Sequence, residues 1–223
     1  SMRRRTISSA CCTVRSSVAA QSIRGLSDER VVGYELLARS QHAGLERPDE
    51  FFGLAAREAR LVPLDRACFD VALRASRALP PDLVAHINLY PATLLEVPAE
   101  RLLAAAHGAG PRLLVELSEQ QILGDPSYLQ PAVESLRRAG VELGIDDVGF
   151  GRSCLESLVL LEPEWIKLDR RSVHGLAGDA GQRRALGRLL ALARALGARV
   201  VAEGIESRGD LAVLIEQGVE RGQ

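Results

Sequence analysis

The chain has 223 residues, 47% of them hydrophobic, and a formal net charge of -1. That length is enough to bury a substantial core, and α/β barrels use such lengths as one domain. Near-zero charge argues against broad phosphate-driven binding of DNA, although a local anion site stays open. No apolar run approaches the roughly 20 residues of a membrane helix.

The opening stretch, SMRRRTISSACCTV, resembles a tag scar, a methionine and a basic leader, without the apolar core of a signal peptide. Residues 1–16 read as a linker or a remnant of something upstream, and 17–223 as one domain. Cys11, Cys12, Cys68 and Cys154 form no CxxC pair, which points to reduced thiols in a cytoplasmic protein rather than to zinc or disulfides. SVAAQSI and VVGYELLAR read as two strands joined by the turn RGLSDE. PDEFFGLAAREAR and PLDRACFDVALRASRAL follow as helices, each opened by a proline. From there strands and helices alternate. LVAHINLY precedes helical AERLLAAAH, RLLVELSE precedes LQPAVESLRRAG, and VELGIDD precedes a short helix near CLESLVLL. EWIKLD precedes GQRRALGRLLALARALG, RVVAEGIE precedes SRGDLAVLIEQG, and VERGQ ends the chain. Repeated βα units predict parallel strands covered by helices. The count favours a barrel, with a doubly wound sheet still open.

Polar residues gather at the C-terminal ends of these strands: Glu35, Asn88, Glu116 and Glu119, Asp146 and Asp147, Lys167 and Asp169, and Glu203. One such residue is ordinarily a loop side chain or a helix N-cap. Together, at one barrel mouth, they form a site. Converging carboxylates raise each other's pKa unless cations are present, and hard cations such as Mg²⁺ or Mn²⁺ suit oxygen ligands. Asp146 and Asp147 point to opposite faces within a strand, but at its end both reach the mouth and can touch different ions. Two ions about 3.5–4 Å apart suit a phosphodiester. Lys167 can orient the attacking water, and Arg39 either forks onto phosphate or makes a surface ion pair. Leu36 faces away from the mouth. His42, His86, His107 and His174 have no ligand spacing and read as ordinary histidines.

VVGYELLAR, INLYPATLL, VELSE, GIDDVGFGRSCLESL, WIKLDR and VVAEGIES occur in an order and at separations that resemble the EAL domain, the bacterial phosphodiesterase family for cyclic di-GMP. The resemblance implies a modified (β/α)₈ TIM-like barrel with an antiparallel first strand, and hydrolysis of cyclic di-GMP to linear pGpG in second-messenger signalling. It implies Glu35, Asn88, Glu116, Asp146 and Glu203 as metal ligands for Mg²⁺ or Mn²⁺, with Asp147 on a second ion and Ca²⁺ as an inhibitor. Lys167 and Glu203 would serve at the attacking water, and Glu119 would steady the loop after the aspartates. Gln21, Arg39, Asp169, Glu206 and Gln223 would contact substrate. A homodimer and an upstream sensor or cyclase domain are further expectations of the resemblance.

The chain departs from the family pattern at several points. Leu36 replaces the usual alanine, Ser22 replaces a proline, and Val148, Phe150, Arg152 and Cys154 alter the loop after Asp147. The chain also ends before the family's last loop and helix. Two other readings therefore stand beside an enzyme: a receptor-like EAL module that binds cyclic di-GMP or a protein without turnover, and an unrelated metal-dependent barrel.

Overall fold

The computed structural model describes residues 16–40, 45, 47–105, 110–149 and 153–223. The leader, with Cys11 and Cys12, and the altered loop positions Phe150 and Arg152 lie outside them, as do His42 and His107. Eight strands follow one another: β1 (Ser16–Gly25), β2 (Val31–Ser40), β3 (Val84–Asn88), β4 (Arg112–Ser118), β5 (Glu142–Val148), β6 (Trp165–Leu168), β7 (Arg199–Ala202) and β8 (Arg221–Gly222). They pair in sequence order into a closed barrel, which decides between the barrel and the open sheet. β1 is antiparallel to both its neighbours, β2 and β8. Every other pairing is parallel, as the βα alternation requires.

The helices are α1 (Pro48–Arg57), α2 (Leu61–Ser76), α3 (Pro91–Glu96), α4 (Ala99–Leu102), α5 (Gln130–Arg138), α6 (Ser153–Leu161), α7 (Arg170–Val173), α8 (Ala180–Leu196) and α9 (Arg208–Glu216). Pro63 does not open α2, which begins two residues earlier. Proline is tolerated there because a first-turn N–H needs no intrahelical partner. α3 and α7 are too short to show a helical period in the sequence. α8 has a start and a stop signal: Asp179 caps its N-terminus by accepting from the Gly181 and Gln182 amides, and Gly197 ends it at φ 71°. RVVAEGIE is strand only as far as Ala202, which leaves Glu203 just beyond β7. No helix among the described residues is long and apolar enough to cross a membrane.

Strand alternation divides the core. Leu36, Ile87, Val115, Leu117, Leu143, Ile145, Ile166 and Leu168 pack outward against helical residues such as Phe69, Leu136, Leu158 and Leu186. The alternate positions Ile23, Val84, Leu114, Trp165 and Val201 form a separate apolar layer. Two positions beyond Val84, Leu114, Trp165 and Val201 come His86, Glu116, Lys167 and Glu203 of the polar cluster described next, because side chains on one face recur with period two.

Candidate active site at the barrel mouth

Lys167 is the centre of the cluster. It sits two residues after Trp165 on β6 and is wholly buried. Its ammonium lies 3.1 Å from Glu35, 3.2 Å from Glu116, 3.5 Å from Asp146 and 2.7 Å from Glu203. β2, β4, β5 and the end of β7 thus each deliver one carboxylate to one cation. Oxygens of Glu35, Glu116 and Asp146 lie within 4.8 Å of one another. Gly144 makes room for this arrangement: a Cβ there would stand 2.9 Å from Leu114 Cδ2 and 3.3 Å from Glu116 Cγ.

Glu35 is the most heavily tied ligand candidate. Asn88 Nδ2 donates to its Oε1 at 2.7 Å, and Gln223 Nε2 donates to its Oε2 at 2.6 Å. Gln21 stands opposite it in the β1–β2 register and is exposed. Burial pushes the Glu35 carboxyl up, but the Lys167 charge and these hydrogen bonds outweigh burial and leave it below its ordinary value. Glu116 lacks that balance. Burial first, against the pull of Lys167 and with repulsion from Glu35 and Glu203, lifts it to about 8. Asp146 and Glu203 are each raised to about 7, again by burial first, against Lys167. Burial works against the Lys167 charge, yet the four carboxylates hold its pKa well above the ordinary lysine value. One ammonium among four carboxylates leaves the cluster short of positive charge.

Asp147 turns away from this centre. Its φ of 59° lies in the left-handed region, and its carboxylate accepts from Ser118 Oγ at 2.9 Å. Its own amide donates to Asp146 Oδ1 at 2.8 Å. The β5–β6 register shifts between Ile145 and Val148, the local change that lets two consecutive aspartates both reach the mouth. A cavity of about 200 Å³ lies there, lined by Asn88, Asp146 and Asp147 together with Arg39, Phe52 and Tyr90.

In the sequence His86 reads as an ordinary histidine. It is buried, but its Nδ1 lies 2.7 Å from Glu116 Oε1. That is ion-pair distance, yet burial, then the Lys167 charge, drive the imidazole down to about 3. The contact is therefore a hydrogen bond to a neutral ring. Nε2 is buried without a hydrogen-bond partner, in keeping with a ring that holds one proton. His86 lies two residues before Asn88 and shares its face of β3, but that period marks any residue of the face and singles out no ligand.

The remaining expected residues fall further out. Arg39 donates to the Ala38 carbonyl at 3.1 Å and lines the cavity. Glu119 opens a 3₁₀ turn, Glu119–Gln121, directly after β4. Asp169 caps α7, accepting from the Arg171 amide, and Arg171 Nη2 lies 2.6 Å from its Oδ2. That guanidinium contact first, against burial, holds the Asp169 carboxyl below its ordinary value. Glu206 is exposed and pairs with Arg170 at 2.7 Å.

The sequence model of the EAL domain family matches residues 4–223. The chain is 29% identical over 212 residues to a probable cyclic di-GMP phosphodiesterase, PdeN, of Escherichia coli, covering 91% of this chain and 41% of PdeN. It is 32% identical over 213 residues to the cyclic di-GMP phosphodiesterase NbdA of Pseudomonas aeruginosa, covering 90% of this chain and 27% of NbdA. The chain thus spans less than half the length of either relative. Among solved structures, the calcium and cyclic di-GMP complex of Klebsiella pneumoniae BlrP1 superposes with a TM-score of 0.83 at 29% identity, over 93% of this chain and 54% of that one. The cyclic di-GMP complex of the phosphodiesterase PaMucR gives 0.80 at 26% identity, over 93% of each chain. A match across nearly all of its length, on a barrel of the same architecture, makes this chain a member of the EAL domain family.

Proposed function

We propose that this chain hydrolyses cyclic di-GMP to linear pGpG with bound Mg²⁺ or Mn²⁺. The observation that carries the proposal is the convergence of four carboxylates on one buried lysine at the barrel mouth, with Asn88 bonded to one of them, Glu35. The donor set fits hard divalent cations. It is all oxygen, it is short of positive charge, and Asn88 gives its NH₂ to Glu35, which leaves its amide oxygen to ligate. Glu35, Asn88, Glu116, Asp146 and Glu203 would hold the first ion and Asp147 a second. When bound, the ions would activate water and neutralise phosphate oxygens.

The chain's own groups do the rest. Lys167, fixed by four carboxylates, is a buried donor able to orient the attacking water beside Glu203. Gln223 and Asn88 hold Glu35 in one rotamer. Arg39, at the cavity wall, can fork onto a phosphate, and exposed Gln21 can meet substrate at the rim. Asp169 and Glu206 would contact substrate only after exchanging their arginine partners. Glu119 would brace the loop after Asp147. A cytoplasmic homodimer, with regulation from a domain upstream of residue 17, completes the proposal; the buried Cys68, which forms no disulfide, suits that compartment.

The test is incubation with cyclic di-GMP and Mg²⁺ or Mn²⁺, following pGpG by chromatography, with Glu35→Ala as control and titration calorimetry in Ca²⁺ alongside. Metal-dependent pGpG that disappears in the variant is the expected result. Tight binding in Ca²⁺ without product in Mn²⁺ would make the chain a receptor instead.

A further inference from the structure

We propose that His86 is a positioning residue for Glu116, fixing that carboxylate so that its free lone pairs face the cation. This rests on the metal-dependent reading of the site. Glu116 is held at both oxygens, Oε1 by His86 Nδ1 at 2.7 Å and Oε2 by Lys167 at 3.2 Å. A carboxylate has about four acceptor positions, so two remain for a ligand after these contacts. Lys167 is shared among four carboxylates and does not select one orientation of Glu116. His86 touches Glu116 alone among them.

The imidazole is itself immobilised. Its ring packs edge-on against Trp165, with centroids 5.0 Å apart and planes at 82°. Trp165 is locked in turn: its indole N–H donates to Glu142 Oε2 at 2.7 Å, and the guanidiniums of Arg199 and Arg221 each lie 5.0 Å from its ring centre. A chain of rigid contacts therefore runs from the far end of the barrel to one ligand of the site. Packing alone does not account for a histidine here. Nε2 is buried without a partner, a cost an apolar ring would avoid, so the Nδ1 contact must offset it. With Glu116 ionised by a bound cation, the geometry assigns the ring proton to Nδ1. Partners of this kind typically change metal affinity 10- to 100-fold when removed.

The experiment counts free Mn²⁺ by electron paramagnetic resonance against the whole chain carrying wild-type His86, His86→Phe or His86→Asn. Phe keeps the ring and loses the donor, whereas the Asn amide places an N–H near Nδ1. The expected result is Mn²⁺ affinity at least about 10-fold weaker in the Phe variant, with most of the wild-type affinity retained in the Asn variant. In parallel, ¹⁵N spectra of the wild-type imidazoles with diamagnetic Mg²⁺ should show one ring, missing from the Asn variant, with its proton on Nδ1 and a bare Nε2. This second readout decides the matter if the Phe variant does not fold. Equal Mn²⁺ affinity in the folded Phe variant, or a proton on Nε2 in the Mg²⁺-loaded wild type, overturns the assignment of His86 while leaving the metal site intact. A wild type that takes up no Mn²⁺ overturns the reading of the site, and this inference with it.

Discussion

Gln223 and Glu35 come from opposite ends of the barrel sequence, and the Gln223 amide donates to Glu35 Oε2 at 2.6 Å. β2 opens the parallel set and Gln223 follows β8, so this contact joins the two edges that β1 bridges. It also shares Oε2 with Lys167. Gln223→Ala should therefore raise the Glu35 pKa and destabilise the chain by about 1.5–3 kcal/mol, the range for a hydrogen bond to a charged group. Urea unfolding at pH 7 measures the stability, and a change below about 0.5 kcal/mol would show that solvent replaces the amide without loss.

Lys167→Met should be the most damaging single change in the cluster. It removes the one ammonium that four carboxylates share, and losing one member of a buried ion pair costs roughly 3–5 kcal/mol. In denaturant titrations Mn²⁺ should restore part of that loss, because a divalent ion supplies positive charge to the same oxygens. Variant and wild type responding equally to Mn²⁺ would argue against a shared charge balance.

Metal binding should also appear as stability in the unmodified chain. A ligand at about 100 times its Kd adds roughly 2.7 kcal/mol. Mn²⁺ or Ca²⁺ should raise the thermal midpoint, a chelator should reverse the gain, and Glu35→Ala should abolish it. Differential scanning calorimetry gives the answer directly.

Asp65 supplies a pH test away from the cluster. It is buried on α2 and accepts from the Tyr90 amide at 2.9 Å. Burial, against that hydrogen bond, lifts its carboxyl from 3.8 to about 6. Because the folded value is the higher one, its contribution to stability is full below about 3.8 and is lost as pH rises through about 6. At about 1.4 kcal/mol per pH unit, the loss by pH 8 is of the order of 3 kcal/mol. Asp65→Asn keeps an acceptor for Tyr90 and removes the charge. The variant should match the wild type near pH 4 and exceed it near pH 8, and parallel urea curves at both values would refute this.

Asp147→Gly should separate strain from function. Glycine accepts the φ of 59° freely, which offsets the lost Ser118 contact. Folding stability should stay within about 1 kcal/mol of wild type, while pGpG formation falls sharply. Retained turnover would remove Asp147 from the site.

Much of this arrangement was legible because strands write their geometry in period two. Glu35, Asn88, Glu116, Asp146 and Lys167 sit late in apolar runs, and the parallel pairing brings those ends together. Other features lacked such a signature. His86 looked like a core residue because one histidine inside an apolar strand carries no ligand spacing. Asp169 looked like its strand-end neighbours, but the chain turns at once into α7 and makes it a cap. α3 and α7 are shorter than the window over which helical periodicity can be recognised. Gln223 as a donor to Glu35 was a matter of closure, visible only once β8 had met β1.

Trp165 and Lys167 share one face of a four-residue strand. The tryptophan, with Ile23, Val84, Leu114 and Val201, seals the end of the barrel beneath the lysine. Among the described residues, that layer closes one side of the lysine, and the cavity lined by Asn88, Asp146 and Asp147 lies at the mouth. Cations and substrate that enter through this cavity would share it with the departing product, so a lingering product would bar the next arrival. Catalysis in this barrel would be paced as much by departure as by bond cleavage.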